Sequence, residues 1–202
     1  MHMDRRIFDR ALDWAEALND RRDDKLGELS LTGIGEALLH PDFVEFLAEA
    51  RRRLPGTRLV FSTNGLLLTD ELCAKIAPYR PRVNVSLHRP EKAGPAIQAA
   101  KRAGIFEMAN PAASLAAFDW AGQVKWEVSA PPVTCEYLKT GWAVVLVDGR
   151  ITTCCLDASG KGVVGHVDDP IESLTSPGTG IKPWGDEKSR TGCNFCHMTV
   201  PA

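Results

Sequence analysis

Cysteine placement is the chemical signal in this chain. The 202 residues hold six cysteines, namely Cys73, Cys135, the adjacent pair Cys154 and Cys155, and the closing pair of Cys193-Asn-Phe-Cys196. Thiols at such short spacings in a reducing compartment point to a metal or a redox centre, with structural disulfides the bland alternative. Trp142-Ala-Val-Val-Leu-Val147, Asp148-Gly149 and Arg150-Ile-Thr-Thr153 read as a β-hairpin on a two-residue Asp-Gly turn. A hairpin returns the chain to its starting point, so Cys135 just before it and Cys154 just after it can lie side by side. The terminal CxxC adds Cys193 and Cys196 from one tight turn, completing four thiolates. Such a set suits a tetrahedral zinc or a cubane iron–sulfur cluster, and spacing alone does not separate the two. Successive side chains alternate across an extended strand, so only one of Cys154 and Cys155 is expected to bind. Cys154 is assigned as the ligand, and Cys155 is read as a small buried residue or a stand-by ligand. Cys73 falls on the apolar side of an expected helix and reads as core.

The elements that must carry these groups follow from periodicity. Ile7, Phe8, Ala11, Leu12, Ala15 and Leu18 form the stripe of an amphipathic first helix. Glu28–Thr32 alternates as a strand, stops at Gly33-Ile34-Gly35, and leads into a helix from Pro41-Asp42 to about Arg53 with Phe43, Phe46, Leu47 and Ala50 on one side. The pattern repeats with a strand at Arg58–Ser62, a turn at Thr63-Asn64-Gly65 and a helix capped by Thr69-Asp70-Glu71 that carries Leu72, Cys73, Ile76 and Ala77. A third round has a strand at Arg82–Leu87 and a helix from about Pro95 to Ala103, closed by Gly104. Strands alternating with helices at this rhythm predict parallel βαβ units, too few for an eight-unit barrel of roughly 250 residues. From about Pro111 the pattern loses its period, and Pro131-Pro132 marks the start of a second, smaller module. The stretch from Ser176 to Gly192, rich in Pro, Gly and charge, is expected to be irregular.

Composition narrows the function classes. Hydrophobic residues make up 44% and charged residues 25%, with a formal net charge of −2, so no global basic field exists to collect nucleic acid. Arg51-Arg52-Arg53 reads as a solvated helix end. The opening residues lack a secretory h-region and no 18 apolar residues run together, which predicts a cytoplasmic protein with no membrane partner.

Read as a whole, the cysteine spacing resembles the SPASM and twitch modules of radical S-adenosylmethionine (radical SAM) enzymes. Cys135, thirteen residues to Gly149 and four more to Cys154 fit their C-x(9–15)-G-x4-C opening, and Cys193 and Cys196 stand where the twitch version has its later CxxC. Cys155-Leu-Asp157 and Gly162-Val-Val-Gly165-His-Val resemble the stretch after the second ligand. The resemblance implies that Cys135, Cys154, Cys193 and Cys196 hold an auxiliary [4Fe–4S] cluster. In the first half, Thr32-Gly33-Ile34-Gly35-Glu36-Ala37 resembles the GGEP-type segment that contacts the methionine amino group of S-adenosylmethionine. Ser62-Thr63-Asn64-Gly65 resembles the TNG turn, and Val83-Asn-Val-Ser86-Leu87-His88 resembles the end of the fourth barrel strand, where a Ser contacts the cofactor. Gly33, Gly35, Glu36, Thr63, Asn64 and Ser86 are therefore the implied cofactor-binding residues. Physically, glycine backbone at a strand end admits a close ligand and a carboxylate suits an ammonium, although an ordinary β-to-α turn would look similar.

The resemblance also has gaps. The superfamily's CxxxCxxC would lie upstream of Met3-Asp4-Arg5-Arg6, whereas no cysteine precedes Cys73, and Ala37 replaces the usual Pro. The chain is expected to be a fragment or a degenerate member that does not catalyse the radical chemistry as it stands, and the opening helix resembles the one that follows the cluster loop, which favours truncation. The expected architecture is α/β: an incomplete parallel (β/α) barrel over residues 1–130, then a β-hairpin-containing twitch/SPASM-like module over 131–202. Intact relatives reduce S-adenosylmethionine to a radical that abstracts hydrogen from a small-molecule or peptide substrate, with a flavodoxin or ferredoxin as electron donor. One alternative is a non-catalytic zinc or structural-cluster module acting as a docking protein. The other is a hydrolase or transferase with His40, His88 or His166 as base, for which no nucleophile motif is evident.

Overall fold

The computed structural model describes residues 2–21, 26–33, 35–87, 89–111, 143–152, 157, 160, 163–176 and 180–181. It divides into two compact units, residues 23–116 and residues 1–22 with 117–202. The expected boundary near residue 130 lies outside the described residues.

In the unit of residues 23–116, four parallel strands lie in the order β1 (Glu28–Ser30), β2 (Arg58–Thr63), β3 (Arg82–Leu87) and β4 (Phe106–Pro111). Helices α2 (Phe43–Arg53), α3 (Asp70–Ile76) and α4 (Pro90–Arg102) connect them in turn. Each helix buries the stripe that its sequence period predicts. On α2 this is Phe43, Phe46, Leu47 and Ala50, with the Phe43 ring edge-on to Phe61 of β2 at 4.9 Å. Thr69 caps α3, its hydroxyl accepting from the Leu72 N–H at 3.2 Å, and the helix buries Cys73 and Ile76.

Three expectations need correction. The chain adds a fourth strand, β4, between Gly104 and Pro111, where no element was assigned; Phe106-Glu-Met-Ala-Asn-Pro111 lacks clean alternation, and its register against β3 shifts at a bulge between Val83 and Asn84. Helix α4 starts at Pro90 rather than Pro95, since Pro90 supplies the preset first-turn φ; Pro95 is tolerated inside because it and Glu91, whose carbonyl loses its partner, are both exposed. Arg51 is more than a solvated helix end: its guanidinium donates to the carbonyls of Tyr79, Pro55 and Thr57, latching the loops below the sheet.

In the other unit, α1 (Arg5–Arg21) packs against an antiparallel sheet of β5 (Val144–Val145), β6 (Arg150–Thr152) and β7 (Val163–His166). Ile7 and Trp14 from the helix meet Ile151 and Val167 in one buried cluster. The Trp14 indole N–H donates to the Val167 carbonyl at 3.0 Å, and Arg6 pairs with Asp168 at 2.7 Å. The four-residue helix α5 (Ile171–Leu174) leads into a short pair, β8 (Thr175–Ser176) with β9 (Gly180–Ile181), inside a stretch expected to be irregular. No helix among the described residues is long and apolar enough to cross a membrane.

Candidate functional site

The C-terminal strand ends of the parallel sheet bring together most of the residues singled out above. Glu36 follows the turn after β1, caps the short 3-10 helix Ala37–Leu39, and accepts from the Leu38 N–H at 3.3 Å. Its other oxygen accepts from the Asn64 N–H of the next turn at 2.8 Å. One carboxylate thus ties two neighbouring strand-end turns and keeps lone pairs for a further donor. Thr32 reinforces the tie, its hydroxyl accepting from the Ser62 N–H at 2.9 Å.

The turn after β2 is built from its own side chains. Thr63 is buried and its hydroxyl accepts from the Gly65 N–H, while the Asn64 side-chain oxygen accepts from the Leu66 N–H. Gly65 has φ +81°, and a Cβ there would stand 3.0 Å from Ala96 Cβ and 3.3 Å from Val85 Cγ1, so the fold itself demands glycine. Gly33 and Gly35 differ. Among the described residues a Cβ at either position would find no atom within 4 Å beyond its own chain neighbours, and neither has a positive φ. Both positions are exposed, so packing among the described residues does not by itself demand glycine there. Ser86 sits half-buried near the end of β3.

A hairpin is present among the described residues, with Val144 opposite Thr152 and Val145 opposite Ile151. Its turn is one residue longer than the expected Asp-Gly pair. The Leu146 N–H donates to Arg150 O and the Gly149 N–H to Leu146 O, leaving a three-residue loop, Val147-Asp148-Gly149, with Gly149 at φ +89°. A Cβ on Gly149 would fall 2.5 Å from His166 Nε2. The Asp168 N–H donates to His166 Nδ1 at 3.2 Å, so Nε2 carries the proton and donates to the Asp148 carbonyl at 2.9 Å. With both nitrogens held by backbone, His166 has no free one with which to act as a base. His40 is likewise engaged, Nδ1 accepting from the Asp42 N–H and the ring lying 4.5 Å from Phe46.

Around the expected cluster ligand, the described residues are anchored on both sides. The Thr152 hydroxyl donates to buried Asp157 at 3.3 Å, and Gly160, at φ +64°, lies against the Arg150 guanidinium. Cys135, Cys154, Cys155, Cys193, Cys196 and His88 themselves lie outside the described residues. Cys73 is described and buried, and burial, with Asp70 adding to it, pushes its thiol pKa up, as befits a core residue. Among the described residues no cluster of three or more His, Cys, Asp and Glu side chains could hold a metal ion. Sequence reading passed over Asn84; its side-chain oxygen is buried on β3 and has no donor among the described residues.

The described residues thus form a parallel α/β sheet whose connecting turns converge at the carboxyl ends of its strands. The chain belongs to the radical SAM superfamily: the sequence profile of the Radical SAM superfamily matches residues 3–130. Membership implies an iron–sulfur cluster and S-adenosylmethionine. A Pyrococcus furiosus protein, the tungsten-containing aldehyde ferredoxin oxidoreductase cofactor-modifying protein, is 39% identical over 75 residues, a stretch covering 37% of this chain and 19% of that protein's length. Among solved structures, BtrN in complex with AdoMet and 2-DOIA superposes with a TM-score of 0.70 at 19% identity, covering 96% of this chain and 76% of that one. Native anSMEcpe with bound AdoMet and Kp18Cys peptide superposes with a TM-score of 0.54 at 12% identity, covering 85% and 71%. At these identities the structures establish a shared fold.

Proposed function

We propose that this chain is the cofactor-binding and auxiliary-cluster portion of a radical SAM enzyme that acts on a small-molecule or peptide substrate. The carrying observation is the turn pair at the strand ends. There the Glu36 carboxylate bridges to the Asn64 N–H beside two glycines at which a Cβ would meet no neighbour among the described residues. Gly33 and Gly35 would lie against S-adenosylmethionine, with Glu36 holding its ammonium and Asn64 and Ser86 at the flank. Thr63, its hydroxyl committed to Gly65, would serve by shaping the turn. When bound, S-adenosylmethionine supplies the superfamily's hydrogen-abstracting chemistry together with an iron–sulfur cluster held by CxxxCxxC, a motif these 202 residues do not contain.

In this reading Cys135, Cys154, Cys193 and Cys196 hold an auxiliary [4Fe–4S] cluster in a twitch-type module. Support comes from the hairpin that separates the first two cysteines and from Gly149, which the turn and His166 together demand at its place in the C-x(9–15)-G-x4-C spacing. A ferredoxin or flavodoxin would serve as electron donor, and the chemistry would be cytoplasmic. The test is anaerobic purification with metal analysis. About four irons per chain with a broad visible chromophore, lost on replacing Cys193 and Cys196 by Ala, is the expected result. Colourless protein holding one zinc would overturn the cluster assignment. Titration calorimetry with S-adenosylmethionine tests the other half, with binding in the wild type and its loss in Glu36→Gln expected.

A further inference from the structure

Arginines gather at the strand starts, the end of the sheet opposite the Glu36 and Asn64 turns. Arg51, Arg58, Arg80 and Arg82 line a recess of about 550 Å³ there, with Glu107 as its one lining carboxylate. Small-molecule pockets of roughly 300–1,000 Å³ are mostly apolar, whereas this lining is charged and suits a charged occupant.

Two of the four cations are already matched. Arg58 pairs with Glu28 at 3.3 Å and with Glu107 at 2.7 Å, and Arg82 approaches Glu107 at 3.7 Å. Arg51 and Arg80 have no carboxylate among the described residues. Arg51 is pinned by carbonyls: its Nε donates to Tyr79 at 2.9 Å and its Nη1 to Pro55 at 2.8 Å and Thr57 at 3.0 Å. Its Nη2 has no partner among the described residues, and Arg51 lines the recess. Burial, and then the charge of Arg80, lower the Arg51 pKa, so the two guanidiniums are near enough to repel.

Arg80 is the one non-glycine residue with a positive φ among the described residues, ending the 3-10 helix Ala77–Tyr79 at φ +50°. Glycine or asparagine fills such a position with little strain, and Pro81 after it restricts the backbone further. The side chain is exposed and unpaired among the described residues. A cation kept at a strained position beside a second cation lacks the counter-charge that would make both favourable.

We propose that this recess binds a dianionic phosphate group, gripped between Arg80 and the Nη2 edge of Arg51. Planar guanidinium forks match phosphate oxygens in pairs, and the carbonyls that pin Arg51 preorganise its donor. Glu28 and Glu107, occupied by Arg58 and Arg82, compete little with the anion. The group is inorganic phosphate or the monoester of a small metabolite. The site stands independently of the function proposed above.

The test titrates inorganic phosphate and glycerol 3-phosphate into the full chain at low ionic strength and about pH 7.5, where the dianions prevail. In the wild type the backbone amide signals of Gly56 and Arg80, both on the recess, should shift saturably. That of Arg102, whose side chain pairs with Asp70 at 2.7 Å, should stay in place. At tenfold excess over Kd the thermal midpoint should rise by about 3–6 °C. The tighter of the two probes identifies the source of the phosphate. Arg80→Gly, which suits the positive φ and removes the repulsion, should melt no lower than the wild type and respond to neither probe. A lower midpoint for Arg80→Gly without phosphate would show that the side chain serves the fold. An equal response in the variant, the same shifts from sodium chloride at matched ionic strength, or no saturable shift in the wild type would each overturn the proposal.

Discussion

Replacing Gly149 by Ala probes why a glycine stands at the hairpin turn. At φ +89° an L-residue costs about 1–2 kcal/mol. The new methyl would also sit 2.5 Å from His166 Nε2 and 2.8 Å from Cε1, so the ring must swing away and give up its bond to the Asp148 carbonyl, a further loss of about 0.5–1.5 kcal/mol. Together these predict a destabilisation of about 1.5–3.5 kcal/mol for the unit containing α1 and β5–β7. Urea unfolding followed through the Trp14 indole N–H signal, which reports docking of α1 on Val167, should show the midpoint falling by about 1 M or more. The physical split can be checked separately. His166→Ala removes the clashing ring, so combining it with Gly149→Ala should cost less than the sum of the two single changes by about 1 kcal/mol, leaving only the backbone strain. Strict additivity, or a Gly149→Ala loss below about 0.5 kcal/mol, would refute the claim that turn conformation and His166 jointly require glycine.

Two further outcomes follow from charged groups. Asp168 sits below its ordinary value of 3.8, first because the Arg6 guanidinium donates to it and then through the charges of Arg6, His166 and Arg10, against a smaller opposing effect of desolvation. A depressed carboxylate stabilises above its unfolded value and loses that contribution as pH falls through the folded one. The Trp14 indole signal should therefore hold from neutrality to about pH 4 and weaken below it, a loss that Asp168→Asn blunts, whereas weakening already above pH 5 would contradict the assignment. Glu36→Gln swaps one acceptor oxygen for an amide that faces a backbone N–H, either that of Leu38 or that of Asn64. It should destabilise the sheet unit by about 1–3 kcal/mol in chemical denaturation; an unchanged midpoint would mean that the tie between the two turns is inert.

Much of this architecture is written in local pattern. The stripe on α2, the Thr69 cap of α3, strand β3 at Arg82–Leu87 and the hairpin at Gly149 all come from spacing and turn chemistry that act over a few residues. So does the gathering of Glu36, Asn64 and Ser86 near one edge, because parallel βαβ units deliver every strand end to the same side. What failed was what depends on partners distant in sequence. Strand β4 loses its alternation to a bulge that exists only against β3. The pairing of α1 with β5–β7, through Trp14 and Val167 separated by 153 positions, leaves no trace in either segment's period.

Residue types and spacing determined on their own that this is an α/β chain with glycine-lined strand ends and cysteines set around a hairpin. Only the folded molecule decided that Gly65 and Gly149 answer to packing while, among the described residues, Gly33 and Gly35 have no packing neighbour and Asn84 keeps an acceptor without a donor. The reason is that propensity and periodicity are properties of a segment, whereas an empty space or an unpaired atom is defined by what other segments fail to bring to it.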